Sequence, residues 1–164
     1  MDIPQVIRPF WQQFQATMQV DASPRFYEAF HFDDNERGAN ELAKLVIAGT
    51  KRATASLLWS YVAANKKLPE PGDLSVVTDW QGKPMCIIET NVVTVAPFEE
   101  VPDDFAAAEG EGDSSLRYWR EAHWTYFGRE CQRIAKAPSI RMPVVCERFA
   151  VIYPDRSRSR PGLS

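Results

Sequence analysis

Between residues 49 and 56 the sequence reads GTKRATAS, which sets Lys51 and Arg52 beside Thr54 and Ser56. A hydroxyl next to an amine is one way to build a nucleophile: the hydroxyl attacks and a neighbouring base takes its proton. A free ammonium, with a pKa of about 10.4, is no base at neutral pH. Burial and a neighbouring cation both lower that value, and Arg52 next to Lys51 is such a neighbour. A partly desolvated Lys51 would then accept the proton of Thr54. On a helical turn the two residues share a face, whereas on a regular strand they point apart. The plainer alternative is a solvated lysine with a threonine that caps the next helix, and the pattern alone leaves both open.

Carboxylates that could complete such a site are concentrated elsewhere. Between Glu99 and Asp113 there are seven acidic residues and no basic one, while between Glu36 and Lys67 there are six basic and two acidic. The acidic stretch reads as a solvated loop that counters the cationic GTKRATAS region unless it supplies a carboxylate to the same cleft. Its scattered spacing lacks any calcium-loop signature. His123 shares an apolar helical face with Leu116, Trp119 and Phe127, which makes it a satisfied, partly buried histidine ahead of a catalytic one. Trp59, Tyr61, Trp80, Trp119 and Trp124 are candidates for stacking on an unpaired base. Trp119 belongs to the apolar stripe, whereas Trp124 lies on the side of Arg117 and Arg120 and is the better ligand candidate. Cys86, Cys131 and Cys146 are odd in number and lack zinc or redox spacing, so they read as buried, reduced thiols.

The elements that must position these groups follow from periodicity. Phe10, Trp11, Phe14 and Met18 recur at helical spacing, and DASPRFYEAF restarts a second helix with Ser23 as N-cap and Pro24 as its first residue. A third helix carries Ala39, Leu42, Leu45 and Val46 on one stripe and closes at Gly49. After GTKRATAS a short helical stretch runs into a Pro- and Gly-rich turn. LSVVTDW and PMCIIETNVVTVAPF, joined by QGK, then form a β-meander. SSLRYWREAHWTYFGREC is a long helix capped by Asp113 or Ser114, and MPVVCERFAVIY is the last strand. Residues 1–154 read as a single α+β domain and 155–164 as a disordered tail with almost no apolar content.

With 164 residues, 45% of them hydrophobic, and a net charge of −3, the chain has enough material for one core and no global field that would draw it to polyanions. It lacks an apolar run long enough to span a bilayer and a leader-like start, so a cytoplasmic protein with no membrane contact is expected. No protein partner is inferable.

GTKRATAS after a helix, PGDLSVV leading into the strands, and AEGEGDSSLRYWREAHWTYF before MPVVCERFAVIY together resemble the ASCH domain family, a relative of the PUA RNA-binding domains, over Phe30 to Tyr153. The resemblance implies a PUA-like small mixed β-barrel with helices packed on it, N-terminal helices, and one long helix before the last strand. It implies RNA or a modified nucleoside as ligand. Two chemistries come with it: cleavage of single-stranded RNA, which is placed first, and hydrolysis of the acyl amide of N4-acetylcytidine. Lys51 and Thr54 fall on the first two amidohydrolase positions, and the acidic third falls on Glu111, with Glu109 as the alternative. In amide hydrolysis Thr54 would attack, Lys51 would take its proton, and the carboxylate would hold the lysine and help protonate the leaving amine. In RNA cleavage Lys51 or Arg52 would stabilise charge on the phosphorane oxygens, and Mg²⁺ would enter only there; otherwise no cofactor is expected. A third possibility is a non-catalytic reader. Around this catalytic set, Arg52, Ser56, Trp59, Arg117, Arg120 and Trp124 are expected to bind the ligand.

Overall fold

The computed structural model describes residues 2–155; of the expected tail, all but Asp155 lies outside the described residues. The fold is α+β and PUA-like. Its centre is a five-stranded sheet in the order β1-β3-β4-β5-β2, built from β1 (Phe26–Phe30), β2 (Ala53–Leu57), β3 (Leu74–Thr78), β4 (Pro84–Pro97) and β5 (Pro143–Tyr153). β1 runs parallel to β3, and the other neighbours are antiparallel. The sheet bends so far that its two edge strands, β1 and β2, both line one cavity of about 280 Å³, without a β1–β2 ladder among the described residues.

Five α-helices surround it: α1 (Arg8–Met18), α2 (Glu36–Ala48), α3 (Leu58–Ala63), α4 (Asp103–Glu109) and α5 (Leu116–Arg133). α1 buries Trp11 and Phe14 against Leu74, Val76 and Ile87, and Met18 lies in solvent. α2 buries Ala43 and Val46 against Val77, Cys86 and Ile88. Successive residues of β3 thus face different helices, and all five are buried where simple alternation would leave one face wet. α4 and α5 cover β2 and β5 through Phe105, Trp119, Phe127, Val144 and Cys146. The three cysteines are free and buried. No described helix is long and apolar enough to cross a membrane.

Two expected elements differ. DASPRFYEAF is not a second helix: Ser23–Arg25 make one 3-10 turn and Phe26 to Phe30 continue as β1. The Ser-Pro signal starts the turn, but an aromatic-rich segment suits a pleated surface, and pairing with β3 plus the contact of Phe26 with Trp11 at 5.2 Å decides the conformation. The acidic stretch is likewise no open loop. Asp103 and Asp104 occupy the first turn of α4, where the helix dipole favours them, and Phe105, Ala106 and Ala108 are buried. The N-cap of α5 is Ser115, whose Oγ accepts from the Tyr118 N–H at 3.1 Å, one residue beyond the expected cap.

Candidate functional site

α2 ends at Gly49, whose left-handed φ of 80° lets its N–H bond back to the helix. The N–H groups of Thr50 and Lys51 both donate to the Leu45 carbonyl at 3.0 Å, and Arg52 N–H donates to the Ala108 carbonyl at 2.7 Å. The segment is therefore clamped between the end of α2 and the end of α4. Gly110 completes the clamp: its φ is +66°, and a Cβ there would sit 2.2 Å from the Thr50 oxygen. This close approach brings Glu109 and Glu111, one on either side of Gly110, to the lysine.

Lys51 precedes the regular part of β2 and is not bound by strand alternation. Its side chain turns inward and is only 1% exposed, so the solvated reading fails. Nζ donates to the Ala53 carbonyl at 2.7 Å and to Glu111 Oε1 at 2.9 Å, and it lies 3.5 Å from Glu109 Oε1 and 5.2 Å from the centre of the Phe32 ring. Burial alone pulls the lysine pKa down, but Glu109 and then Glu111 more than reverse it, and the net direction is upward. Lys51 is thus held as an ammonium, with its donors engaged, and is not the proton acceptor expected from the sequence. Arg52 does not lower it, because Arg52 points to solvent.

Glu109 is as buried as Lys51 and accepts from the Trp119 indole N–H. Its Oε2 also lies 2.9 Å from His123 Nε2. Burial raises the pKa of this carboxyl, and Lys51 and then His123 outweigh it, holding the group well below the ordinary carboxylate range. His123 stacks on Trp119 with ring centroids 4.2 Å apart, and its Nδ1 lies 2.9 Å from the Trp119 carbonyl. Both ring nitrogens face acceptors, so both donate. Burial pulls the His123 pKa down, but Glu109 reverses this and raises it. Lys51, Glu109, Glu111 and His123 form one nearly closed charge cluster.

The cluster borders a cavity of about 350 Å³, lined also by Thr54, Ser56, Tyr118 and Tyr126. Thr54 and Ser56 alternate along β2 with the more deeply buried Ala53, Ala55 and Leu57. Of the residues expected from the sequence, Lys51, Thr54, Glu111 and Ser56 share this cavity, together with Glu109. The others lie elsewhere. Trp59 packs on the α4–α5 core beneath Lys136, Arg117 pairs with Glu121 along α5, and Arg120 reaches the Glu99 carbonyl. Trp124 touches Phe98 and borders a separate apolar patch.

His123 is the buried, hydrogen-bonded histidine the apolar stripe implies, yet it also reaches the cavity wall. Tyr118, Ala122, Tyr126 and Arg129 line the same wall at intervals of about one helical turn. This second stripe of α5 is visible in the sequence beside the apolar one, but its mixed chemistry gives no reason to single it out. Arg129 is committed elsewhere: Nε and Nη2 donate to the two Asp34 oxygens at 2.7 and 3.1 Å. Glu109, Glu111 and His123 also offer ligand atoms within 4.8 Å of one another. They do not fit a divalent cation, because the Lys51 ammonium already engages both carboxylates and His123 faces Glu109 as a donor.

The ASCH domain model matches residues 28–153. The ASCH domain of Lactobacillus crispatus JV V101 is 37% identical, with a TM-score of 0.83 over 92% of this chain and 96% of that one. A protein of Enterococcus faecalis V583 is 32% identical, with a TM-score of 0.82 over 90% of this chain and 88% of that one. No curated protein matches. With the lysine, threonine and glutamate of GTKRATAS and AEGEGDSS gathered around one cavity, and that match spanning most of its length, the chain belongs to the ASCH domain family.

Proposed function

We propose that the protein binds one modified nucleoside in this cavity and hydrolyses an acyl amide on its base, as in N4-acetylcytidine. The observation that carries this reading is the charge state of the cavity. Lys51 is neutralised by Glu109 and Glu111 and Arg129 by Asp34, so neither cation is free for a phosphate, while Asp33 and Glu41 also border the space. A strand of RNA loses affinity where its phosphates meet carboxylates, whereas a neutral nucleoside has no phosphate to repel. Ribonuclease chemistry, placed first on sequence grounds, therefore yields to the amidohydrolase. The volume of about 350 Å³ suits a single nucleoside.

In this reading Thr54 attacks the acyl carbon. Lys51 orients Glu111, which faces the amide nitrogen and accepts a hydrogen bond from the leaving amine, and Tyr118 and Tyr126 offer rings against the base. No metal is needed for these steps. Three free, buried thiols suit a reducing compartment, and we place the protein in the cytoplasm. The test is turnover of N4-acetylcytidine and of a single-stranded oligonucleotide, with and without Mg²⁺, plus binding of each at two salt concentrations. Cytidine and acetate should appear, and nucleoside binding should be nearly independent of salt. Oligonucleotide binding that falls at about −0.7 per phosphate contact, with cleavage and without nucleoside turnover, would restore the ribonuclease.

A further inference from the structure

Lys51, held as an ammonium, has no lone pair for the Thr54 proton, and an acceptor must come from elsewhere. The other side of Thr54 supplies one. β2 and β5 are antiparallel with Thr54 directly opposite Glu147, so the two side chains leave the sheet on the same face. Cβ atoms of such pairs lie about 4.5–5.5 Å apart. Thr54 and Glu147 also line together the cavity of about 280 Å³ between the edges of the sheet. That cavity adjoins the first through Phe30, Thr54, Ser56 and Tyr126, which border both. Thr54 thus stands at the junction, with the Lys51 cluster on one side and Glu147 on the other.

We propose that Glu147 is the proton-transfer residue of this site, taking the proton of Thr54 as it attacks and returning it to the departing amine; this rests on the amidohydrolase reading. Its surroundings suit the task. Glu147 is 9% exposed, and Oε2 accepts from Thr90 Oγ1 at 2.9 Å. Lys66, on the same cavity wall, pairs with Glu28. Tyr27 and Glu28 on β1, Asp73 before β3, Lys66 after α3, and Tyr61, Tyr126 and Glu130 on the helices are the charged or titratable groups around it among the described residues. Burial pushes its carboxyl up to about 7; Thr90 and Lys66 pull it down, Glu28 and Asp73 push it further up. A general base works best with a pKa near the working pH.

The steps balance. The Thr54 oxygen forms a bond to the acyl carbon, its proton passes to Glu147, and the carbonyl π pair moves onto oxygen. That pair returns as the C–N bond breaks, and the amine leaves with the proton held by Glu147. Water then adds to the Thr54 ester, giving its proton to Glu147. The ester C–O bond breaks, and the Thr54 oxygen recovers that proton as the carboxylic acid departs.

The test compares the full chain with Glu147→Gln and Thr90→Val on N4-acetylcytidine across pH. Glu147→Gln keeps the shape and an acceptor for Thr90, so its kcat should fall by about 10²–10⁴-fold. The unaltered protein should show a rise in rate through a pKa of about 7. Thr90→Val removes a bond that favours the ionised form and should move this limb to higher pH. A structural role for Glu147 would leave the limb in place. Glu147→Gln within threefold of the parent, or a limb unmoved in Thr90→Val, overturns the assignment and leaves the amidohydrolase standing. A parent that does not turn over the acyl nucleoside overturns both.

Discussion

Replacing Glu147 with Gln should change the pH dependence of stability in a direction opposite to that of replacing a carboxylate paired with a cation. In the folded chain burial raises this carboxyl from 4.5 to about 7. The neutral form is therefore preferred by the fold. The stability it contributes is fully present below the unfolded pKa of about 4.5 and is lost as pH rises through the folded value. Between pH 5 and pH 8 the loss amounts to about 2–3 kcal/mol, since each tenfold change in the proton-binding constant is worth about 1.4 kcal/mol. A glutamine carries no charge at either pH and escapes this loss. Relative to the parent, Glu147→Gln should gain about 2–3 kcal/mol between pH 5 and pH 8, which for a chain of this size is about 2–4 °C in Tm per kcal/mol. Urea unfolding of both proteins at the two pH values measures it, and the double difference cancels any change in packing. Parallel curves would mean that Glu147 titrates in the ordinary carboxylate range. A gain for the parent on raising the pH would mean that a cation is paired with it. Either result removes the physical basis for assigning it proton transfer.

Lys51→Met should destabilise by about 3–5 kcal/mol, because it leaves Glu109 buried with only His123 and Trp119 as partners; chemical denaturation reads this, and a loss below about 1 kcal/mol would mean that Glu109 takes up a proton at little cost. Gly110→Ala should cost at least about 1–2 kcal/mol from its left-handed φ alone, and the contact at 2.2 Å with Thr50 should shift Glu111 and lower kcat; calorimetry and kinetics on the same sample test both. Trp124→Ala, Arg117→Ala and Arg120→Ala should leave nucleoside affinity within about twofold, whereas Tyr118→Ala should weaken it by about 1–3 kcal/mol if that ring stacks on the base, and calorimetric titration separates the two groups.

How much of this is legible in the sequence depends on the kind of signal. The Asn35–Gly49 span announces itself through an amphipathic stripe and a glycine whose left-handed φ ends the helix, and α5 through its Leu116–Trp119–His123–Phe127 face. Both are local signals. β1 is hidden because Ser23-Pro24 starts a helix as readily as a turn, and what makes Phe26–Phe30 a strand is the distant β3. The pairing of Lys51 with the AEGEGDSS carboxylates is suggested by chemistry, yet the choice between Glu109 and Glu111 is not. Both reach Nζ because Gly110 lets the backbone between them rest on Thr50. Glu147 has no signal at all. Within VVCERFAV it looks like an outward-facing strand residue, and only the β2–β5 register sets it against Thr54.

Register also explains why the sequence and the fold point to different proton acceptors. A lysine three residues before a threonine invites the idea that one activates the other, since proximity along the chain is all a sequence displays. In the fold the partners of each group come from distant segments and set its charge. Lys51 receives two carboxylates and stays cationic; Glu109 receives a lysine and a histidine and stays anionic. Glu147 receives a threonine hydroxyl, is buried beside other acidic groups, and has its carboxyl pushed up to about 7. Titratable groups whose surroundings push their pKa values apart divide the work of acid–base chemistry between them. Here the division separates holding from transfer. Lys51 and Glu109 are held charged and fix Glu111 in place, while the carboxyl opposite Thr54 is the one brought to where a proton is gained and lost near neutral pH.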